Sequence, residues 1–567
     1  MKKSFFLFLL GLILACPVLG QNLSSITGNN TAACAGSPLP VYCTGAFAGM
    51  SNTSDVGAQT VVVNPVPGNV STLDPHTLLP AGSKIVVHFM PWFVSPGTGD
   101  HTQTLYNSND ANTVNAQMND MIQRHFDGLM IDWYSQFNTT ADGATQKVQA
   151  NLDARCTAPQ NCPLEFAIIE DQGAVTRAQG SRAGCALTDS ACMQTSIMQD
   201  LCYANGNYFG VAGYLKMSPS THAWQTSTNP VVGFFPPGTT TAWNTAVSNI
   251  KALVAANGWA AANCPAGQQG ANGGLLFFDS DTTNVAQAPY NGGSSWVGTV
   301  GWSTTNQFLI DGSAGNYHES LYSNCAANPS SICIGSAKKG FNDFPTPPFA
   351  SWGTNRVIAQ ECGQTWITTL KKSSNFTGVN LTLQAPTWND YEEGTEIETG
   401  IDPCYTWASA PTVSSGTLTW SAGLSTNDTT YAPIVSGVPT GPQVDHWRIW
   451  SIDSSGTARV ALDNIPLSTT SEPISAMSLP NGPLTLYVQL VGEPSVLNVT
   501  SPASPSVTVG NVCSASNTTN PFGPVCQFGQ WCKVYSSGFT LNSGAPSYHQ
   551  NGWNTAVYMP FSTSGDT

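Results

Sequence analysis

The sequence predicts a TIM-type (β/α)8 barrel over residues 84–404, followed by a β-sandwich over 405–510. Two patterns predict it. Eight short apolar runs, with helical periodicity between several of them, extend over about 320 residues. After about residue 405 the pattern turns to strands separated by Ser, Gly and Pro. A doubly wound open sheet is the alternative for the first part. No glycine-rich phosphate loop opens its first helix, which counts against the nucleotide-binding versions of that fold.

Ile85-Val86-Val87-His88-Phe89-Met90 is nearly continuous in apolar residues, as a strand buried on both faces requires. Val114, Met118, Met121 and Ile122 repeat at i, i+4, i+7 and i+8 and predict a helix, and Gly128–Asp132 predicts the second strand. This strand–helix–strand unit implies a parallel pair with a right-handed crossover. Phe166–Ile169, Val231–Phe235, Leu275–Phe278, Val297–Val300, Ile332–Ile334 and Val379–Leu383 complete the eight strands. Trp243, Val247, Ile250 and Val254 predict one further helix, and Ile358, Cys362 and Trp366 another. Long loop insertions are expected over 172–192 and 303–331.

Gly416–Trp420, His446–Trp450, Ala458–Leu462 and Leu484–Leu490 read as strands of a sandwich of fibronectin type III or immunoglobulin-like kind. Residues 21–83 read as an extended N-terminal segment and 511–567 as a Cys-rich tail.

Lys2 and Lys3 precede an apolar run from Phe5 to Ala15, with small residues before Gln21, the layout of a signal peptide over 1–20. Ile13-Leu14-Ala15-Cys16 also loosely resembles a lipoprotein box, so a lipid anchor at Cys16 is the minor reading. No other run approaches a membrane span. The protein is expected to be secreted, periplasmic or held at the cell surface. Its 16 cysteines then read as disulfides, with local pairs Cys34/Cys43, Cys156/Cys162, Cys185/Cys192 and Cys325/Cys333, and a further group Cys513, Cys526 and Cys532. A Cys362–Cys404 bridge would pin the end of the barrel to its last helix. Loss or lipidation of Cys16 leaves an odd thiol. No C-x2-C pair is followed by a second such pair, so structural zinc is not expected.

Eighteen Lys and Arg stand against 33 Asp and Glu, a net charge of −15, which disfavours binding a phosphate backbone and excludes nucleic acid as the expected partner.

In a parallel barrel the active site forms at the C-terminal ends of the strands. Those ends carry His88 with Trp92, Asp132-Trp133-Tyr134, Glu170-Asp171, Asp279, and the run Trp388-Asn389-Asp390-Tyr391-Glu392-Glu393. Acids and aromatics together fit a sugar site, where rings stack on pyranose faces and carboxyl groups bind hydroxyls or transfer protons. Bland readings exist for several: a core histidine for His88, a helix-capping pair for Glu170 and Asp171, and packing for Trp92 and Trp133. No G-x-S-x-G elbow and no H-E-x-x-H signature occurs, so esterase and metalloprotease readings lack their anchors. Glycosidic cleavage needs two carboxyl groups, and Asp390 and Glu393 lie three residues apart on one turn.

Thr387-Trp-Asn-Asp-Tyr-Glu-Glu-Gly394 resembles the T-W-N-D-Y-G-E-S signature of glycoside hydrolase family 71, the endo-α-1,3-glucanases. Glu393-Gly-Thr-Glu-Ile-Glu398 resembles the E-G-T-x-I-E of family 99, the endo-α-mannosidases. His88-Phe89-Met90 matches the H-F-M of family 71, while Asp132-Trp133-Tyr134 and Ile169-Glu170 are similar to the S-W-Y and I-E of family 99. Gly340-Phe341-Asn342-Asp343 is similar to a P-G-[FY]-D-D element. The resemblance covers about residues 84–400. It implies Asp390 and Glu393 as the catalytic pair, with Glu392 and Asp132 as departures from the family patterns. The reading is an exported hydrolase of α-linked polysaccharide, of α-1,3-glucan or α-mannan type, needing no cofactor. The alternative is a non-catalytic glycan-binding or surface structural protein that retains the barrel.

Overall fold

The computed structural model describes residues 70–94, 106–157, 161–224, 228–238, 241–298, 317–342, 356–373 (except 359), 382–424 and 443–509, with a few shorter pieces. The signal segment, Cys16, Cys34, Cys43 and all but residues 532–534 and 557–559 of the C-terminal tail lie outside them.

Eight strands close into a barrel: β1 (Lys84–Phe89), β2 (Gly128–Trp133), β3 (Glu165–Asp171), β4 (Val231–Phe235), β5 (Leu276–Asp279), β6 (Gly292–Ser294), β7 (Ile332–Ser336) and β8 (Thr382–Ala385). Each pairs in parallel with its neighbour in sequence, and β8 pairs with β1 through Lys84–Thr382 to Val87–Ala385. Among the described residues, six helices of nine residues or more pack around it: α1 (Ala111–Gln123), α2 (Thr139–Arg155), α3 (Ser190–Asn207), α4 (Thr241–Val254), α5 (Tyr317–Ala327) and α6 (Gln364–Lys372). The starts of α1, α2 and α3 follow from sequence: the side chains of Asp110, Asn138 and Asp189 accept from the N–H groups of Thr113, Ala141 and Cys192. Each such cap contributes ~1 kcal/mol. The continuous apolar run of β1 is buried from Ile85 to Phe89, as a strand between interior and helices must be.

Two elements differ from expectation. The sixth strand is Gly292–Ser294, not Val297–Val300. Its glycines hide it from any apolar pattern, and they are required: a Cβ on Gly292 would lie 2.1 Å from the carbonyl oxygen of Ile332 on β7. Val297 instead packs in a side cluster with Phe341 and Ile358. The spacing of Ile358, Cys362 and Trp366 is not one helix either. Ile358 belongs to a two-residue strand, Glu361 and Cys362 take positive φ values of 49° and 55°, and α6 starts only at Gln364. The insertion expected over 303–331 also contains α5.

The expected pairs Cys156–Cys162, Cys185–Cys192, Cys325–Cys333 and Cys362–Cys404 are present, joined by Cys202–Cys264, which spacing alone did not suggest. The last closes the longest loop, 62 residues, from α3 to the chain after α4. Replacing both of its cysteines by Ser is expected to lower stability by ~2–4 kcal/mol, read as a shift of the denaturant midpoint.

Below the barrel His76 bridges two acids: one ring nitrogen meets Asp74 at 2.6 Å and the other Asp127 at 2.8 Å, while Asp127 also takes Lys84. The hydrogen bond to Asp127 leads in raising the imidazole pKa. Burial raises those of Asp74 and Asp127, but hydrogen bonds, with the charge of His76 at Asp74 and of Lys84 at Asp127, outweigh it and lower both. The imidazolium's contribution is therefore complete below its ordinary pKa near 6.5 and is lost as pH rises through the raised value. The carboxylates' share is present above their ordinary value of 3.8 and is lost as pH falls through the lowered one. His76→Asn should consequently lower Tm most between about pH 4 and 6.5, with the gap from the parent closing in alkali.

The C-terminal part holds a three-stranded sheet (Thr412–Ser414, Thr417–Thr419, Ser471–Pro473) and a five-stranded antiparallel sheet led by Val444–Asp453 and Gly482–Gly492. Leu418 and Trp420 from the first side share one core with Trp447, Ile449, Leu486 and Val488 from the second. Val496, in the turn after Gly482–Gly492, is fully buried in the barrel's own core. Around it Ser71 N–H donates to Val496 O, Ile401 N–H to Ser495 O, and the Trp366 indole to Pro494 O.

Candidate functional site

The loop after β8 is a compact knot built by its own polar residues. Thr387 N–H donates to Thr395 O, Thr395 N–H to Asp390 O, and Asp390 N–H to the Thr387 hydroxyl at 2.7 Å. One carboxyl oxygen of Asp390 accepts from the N–H groups of both Glu392 and Glu393 at 3.0 Å. Asn389 clamps Met90 at the end of β1, accepting its N–H at 2.8 Å and donating to its C=O at 2.9 Å. From outside, the fully buried Arg124 donates to the carbonyls of Ile397 and Glu398, pairs with Asp120 at 2.6 Å and stacks over Trp388. Glu398 accepts from Tyr106, Tyr391 and Gln117, and Lys339 pairs with Glu396 at 2.7 Å.

This scaffold fixes Asp390, which is 1 % exposed. Burial, then the negative charges of Glu393 and Glu392, hold its carboxyl well above the ordinary carboxylate range. Glu393, half-buried, lines a cavity. One turn thus presents two carboxyl groups, the buried one favouring its protonated form.

Beside them the ends of β1–β3 contribute His88, Asp132, Tyr134 and Asp171. His88 Nδ1 meets Gln384 Nε2 at 2.6 Å, and its Nε2 faces Asp132 at 4.0 Å. Burial lowers its pKa to about 3, so the ring is neutral at physiological pH. Asp171 is raised by burial and by the charge of Asp132, and it also caps the turn Gln172–Thr176 through Gly173 N–H. Tyr134, raised chiefly by burial, feels Asp171, Asp132 and Asp390 together. Trp92 leans against Tyr134 at 6.1 Å.

Toward β4–β6 opens a cavity of about 540 Å3, lined among others by Phe235, Asp279, Asp281, Trp296, Arg356 and Glu393. Burial raises the pKa of Asp279 to about 6. Trp296 ties the cavity to the first group, its ring 4.6 Å from His88 and 5.3 Å from Phe235. Among the described residues no group of three or more His, Cys, Asp or Glu is arranged to hold a metal ion.

Of the residues singled out in sequence, the fold brings His88, Trp92, Asp132, Tyr134, Asp171, Asp279, Asp390 and Glu393 to the barrel mouth, with Glu392 buried beside Asp390. Five others turn elsewhere. Trp133 is fully buried, donates to Asp142 at 3.1 Å and stacks on Tyr203 of α3. Glu170 sits by Asp200 and Arg182, with burial and then Asp200 raising its pKa. Trp388, Asn389 and Tyr391 are the fully buried parts of the knot. Sequence reasoning passed over Trp296, Phe235, Gln384 and Arg356. An aromatic directly after Gly292-Gly-Ser-Ser295 was the available signal for Trp296.

No protein-family model matches the chain, and no curated protein matches it. Among solved structures it is similar to apo β-glucuronidase 3 of Bacteroides uniformis, at 8 % identity and a TM-score of 0.31, over 80 % of this chain and 51 % of that one. It is equally similar to a β-glucuronidase of Parabacteroides merdae with glycerol in its active site, at 8 % identity and a TM-score of 0.31, over 80 % and 51 %. The chain spans about half the length of these proteins. At that TM-score the likeness carries no argument. The fold rests on the closed parallel barrel itself.

Proposed function

We propose that this protein is an exported glycoside hydrolase acting on an α-linked polysaccharide, of α-1,3-glucan or α-mannan type. Residues 84–404 form its catalytic unit and 405–510 an accessory sandwich. The observation that carries the reading is the pair on the last loop: Asp390 buried and held toward its neutral form, and Glu393 on the same turn lining the cavity. Such a pair provides a proton donor and a carboxylate for the two sides of a glycosidic bond.

The resemblance to families 71 and 99 points to the same two residues. Five disulfides among the described residues fit an oxidising compartment. No described helix is long and apolar enough to cross a membrane. His88, Asp132, Tyr134 and Asp171 act in this reading as sugar-hydroxyl contacts, with Trp92 as an aromatic wall. Reducing-sugar release from α-1,3-glucan and from yeast α-mannan tests it. Release from one of them is expected, and release from neither defeats the proposal.

A further inference from the structure

We infer that the cavity beside β4, β5 and β6 is a sugar subsite adjoining the reacting pair, in which Trp296 is the stacking wall and Asp279 accepts a sugar hydroxyl. The inference rests on the hydrolase reading for the direction from which the chain enters, past Glu393.

Four observations carry it. Asp279 is 2 % exposed, and one of its oxygens accepts Asp281 N–H at 3.0 Å. Its other oxygen has no hydrogen-bond partner among the described residues, and Asp279 is one of the residues that line the cavity. That oxygen is not sealed in the interior, so a hydroxyl entering the cavity can donate to it. Trp296 is only half-buried. Phe235 meets it at 78° and His88 at 71°, both edge-on, which fixes the plane of the indole. A fixed indole offers a pyranose CH face the apolar surface it stacks on.

The opposite wall is built rather than accidental. Gly298, at φ 68°, leaves room for the ring of Tyr317, which a Cβ would meet at 2.3 Å, and the Tyr317 hydroxyl donates to Asp281 at 2.9 Å. Arg356 lies over the Phe341 ring at 5.2 Å and within electrostatic reach of Asp281, so the wall's cation is engaged with the protein. The volume, about 540 Å3, falls within the ~300–1,000 Å3 of small-molecule sites.

The test is calorimetric titration of the full-length protein with a soluble α-1,3-glucan oligosaccharide and, separately, an α-mannan oligosaccharide. The parent should bind one of them. Asp279→Asn, which keeps the shape, should bind it at least about tenfold more weakly, the loss of a charge-assisted hydrogen bond, as should Trp296→Ala. If Trp296→Ala fails to fold, Asp279→Asn and Trp296→Phe decide, the latter keeping most of the affinity. Parental affinity in Asp279→Asn, or no binding of either sugar by the parent, overturns the subsite. The two readings fail separately. Turnover surviving in Glu393→Gln while Asp279→Asn loses affinity removes the catalytic pair and leaves the subsite. An inactive Glu393→Gln beside an Asp279→Asn of full affinity does the reverse.

Discussion

On the proposed mechanism, Glu393→Gln is expected to lower turnover of an α-glycan substrate by at least ~10²-fold, the low end of what a positioned acid or base supplies. Asp390→Asn is expected to do the same by a different route. Glutamine at 393 keeps the size of a side chain that lines the cavity and removes its charge. Asparagine at 390 keeps an oxygen that can accept the N–H groups of Glu392 and Glu393, so the turn stays closed. Both variants should therefore retain the parent's circular dichroism and Tm within a few degrees. Near-parental turnover in either would take that residue out of the mechanism. The pH profile offers a second check. Burial and two like charges raise the Asp390 carboxyl, so an activity that needs its protonated form falls on the alkaline side, well above the ordinary carboxylate value of 3.8. Removing the charge of Glu393, the larger of the two electrostatic causes, should move that descent toward lower pH in whatever residual activity remains.

Outside the mouth, Arg124→Ala is expected to cost about 3–5 kcal/mol, the range for leaving one partner of a buried ion pair alone. The guanidinium is inaccessible to solvent and serves three groups at once: the carboxylate of Asp120, the carbonyls of Ile397 and Glu398, and the face of Trp388. Alanine removes all of these contacts at once, although the Ile397 carbonyl still accepts the Gly400 N–H. Because the carbonyls belong to the knot that carries Asp390, activity should fall along with the denaturation midpoint. Lysine restores the charge and not the fork, so Arg124→Lys should recover only part of either. A midpoint within about 1 kcal/mol of the parent for Arg124→Ala would show that the knot is held by its internal hydrogen bonds alone.

Strands β1 to β5 and helices α1 and α4 were legible because each is long enough for its apolar period to show. β6 was not. Its three residues are two glycines and a serine, chosen for how closely β7 approaches, and that approach is a property of the closed barrel. The apparent helix through Ile358 failed for the converse reason. Three apolar residues at helical spacing do not reveal that Glu361 and Cys362 sit at positive φ.

The sequence alone determined seven of the eight barrel strands, the local pairs Cys156–Cys162, Cys185–Cys192 and Cys325–Cys333, and the acidic run at the end of β8, because period, spacing and residue type are all local properties. Only the tertiary structure decided which of Trp388-Asn389-Asp390-Tyr391-Glu392-Glu393 face the mouth. Side-chain direction in that knot is set by long-range partners, Met90 for Asn389, Arg124 for Trp388 and Tyr106 with Glu398 around Tyr391. The same holds for Trp133 and Trp296. One tryptophan in a strongly patterned strand packs against Tyr203, and the other, after a strand with no pattern, lines the cavity. Alternation tells that two neighbours point opposite ways, and only barrel closure tells which way is in.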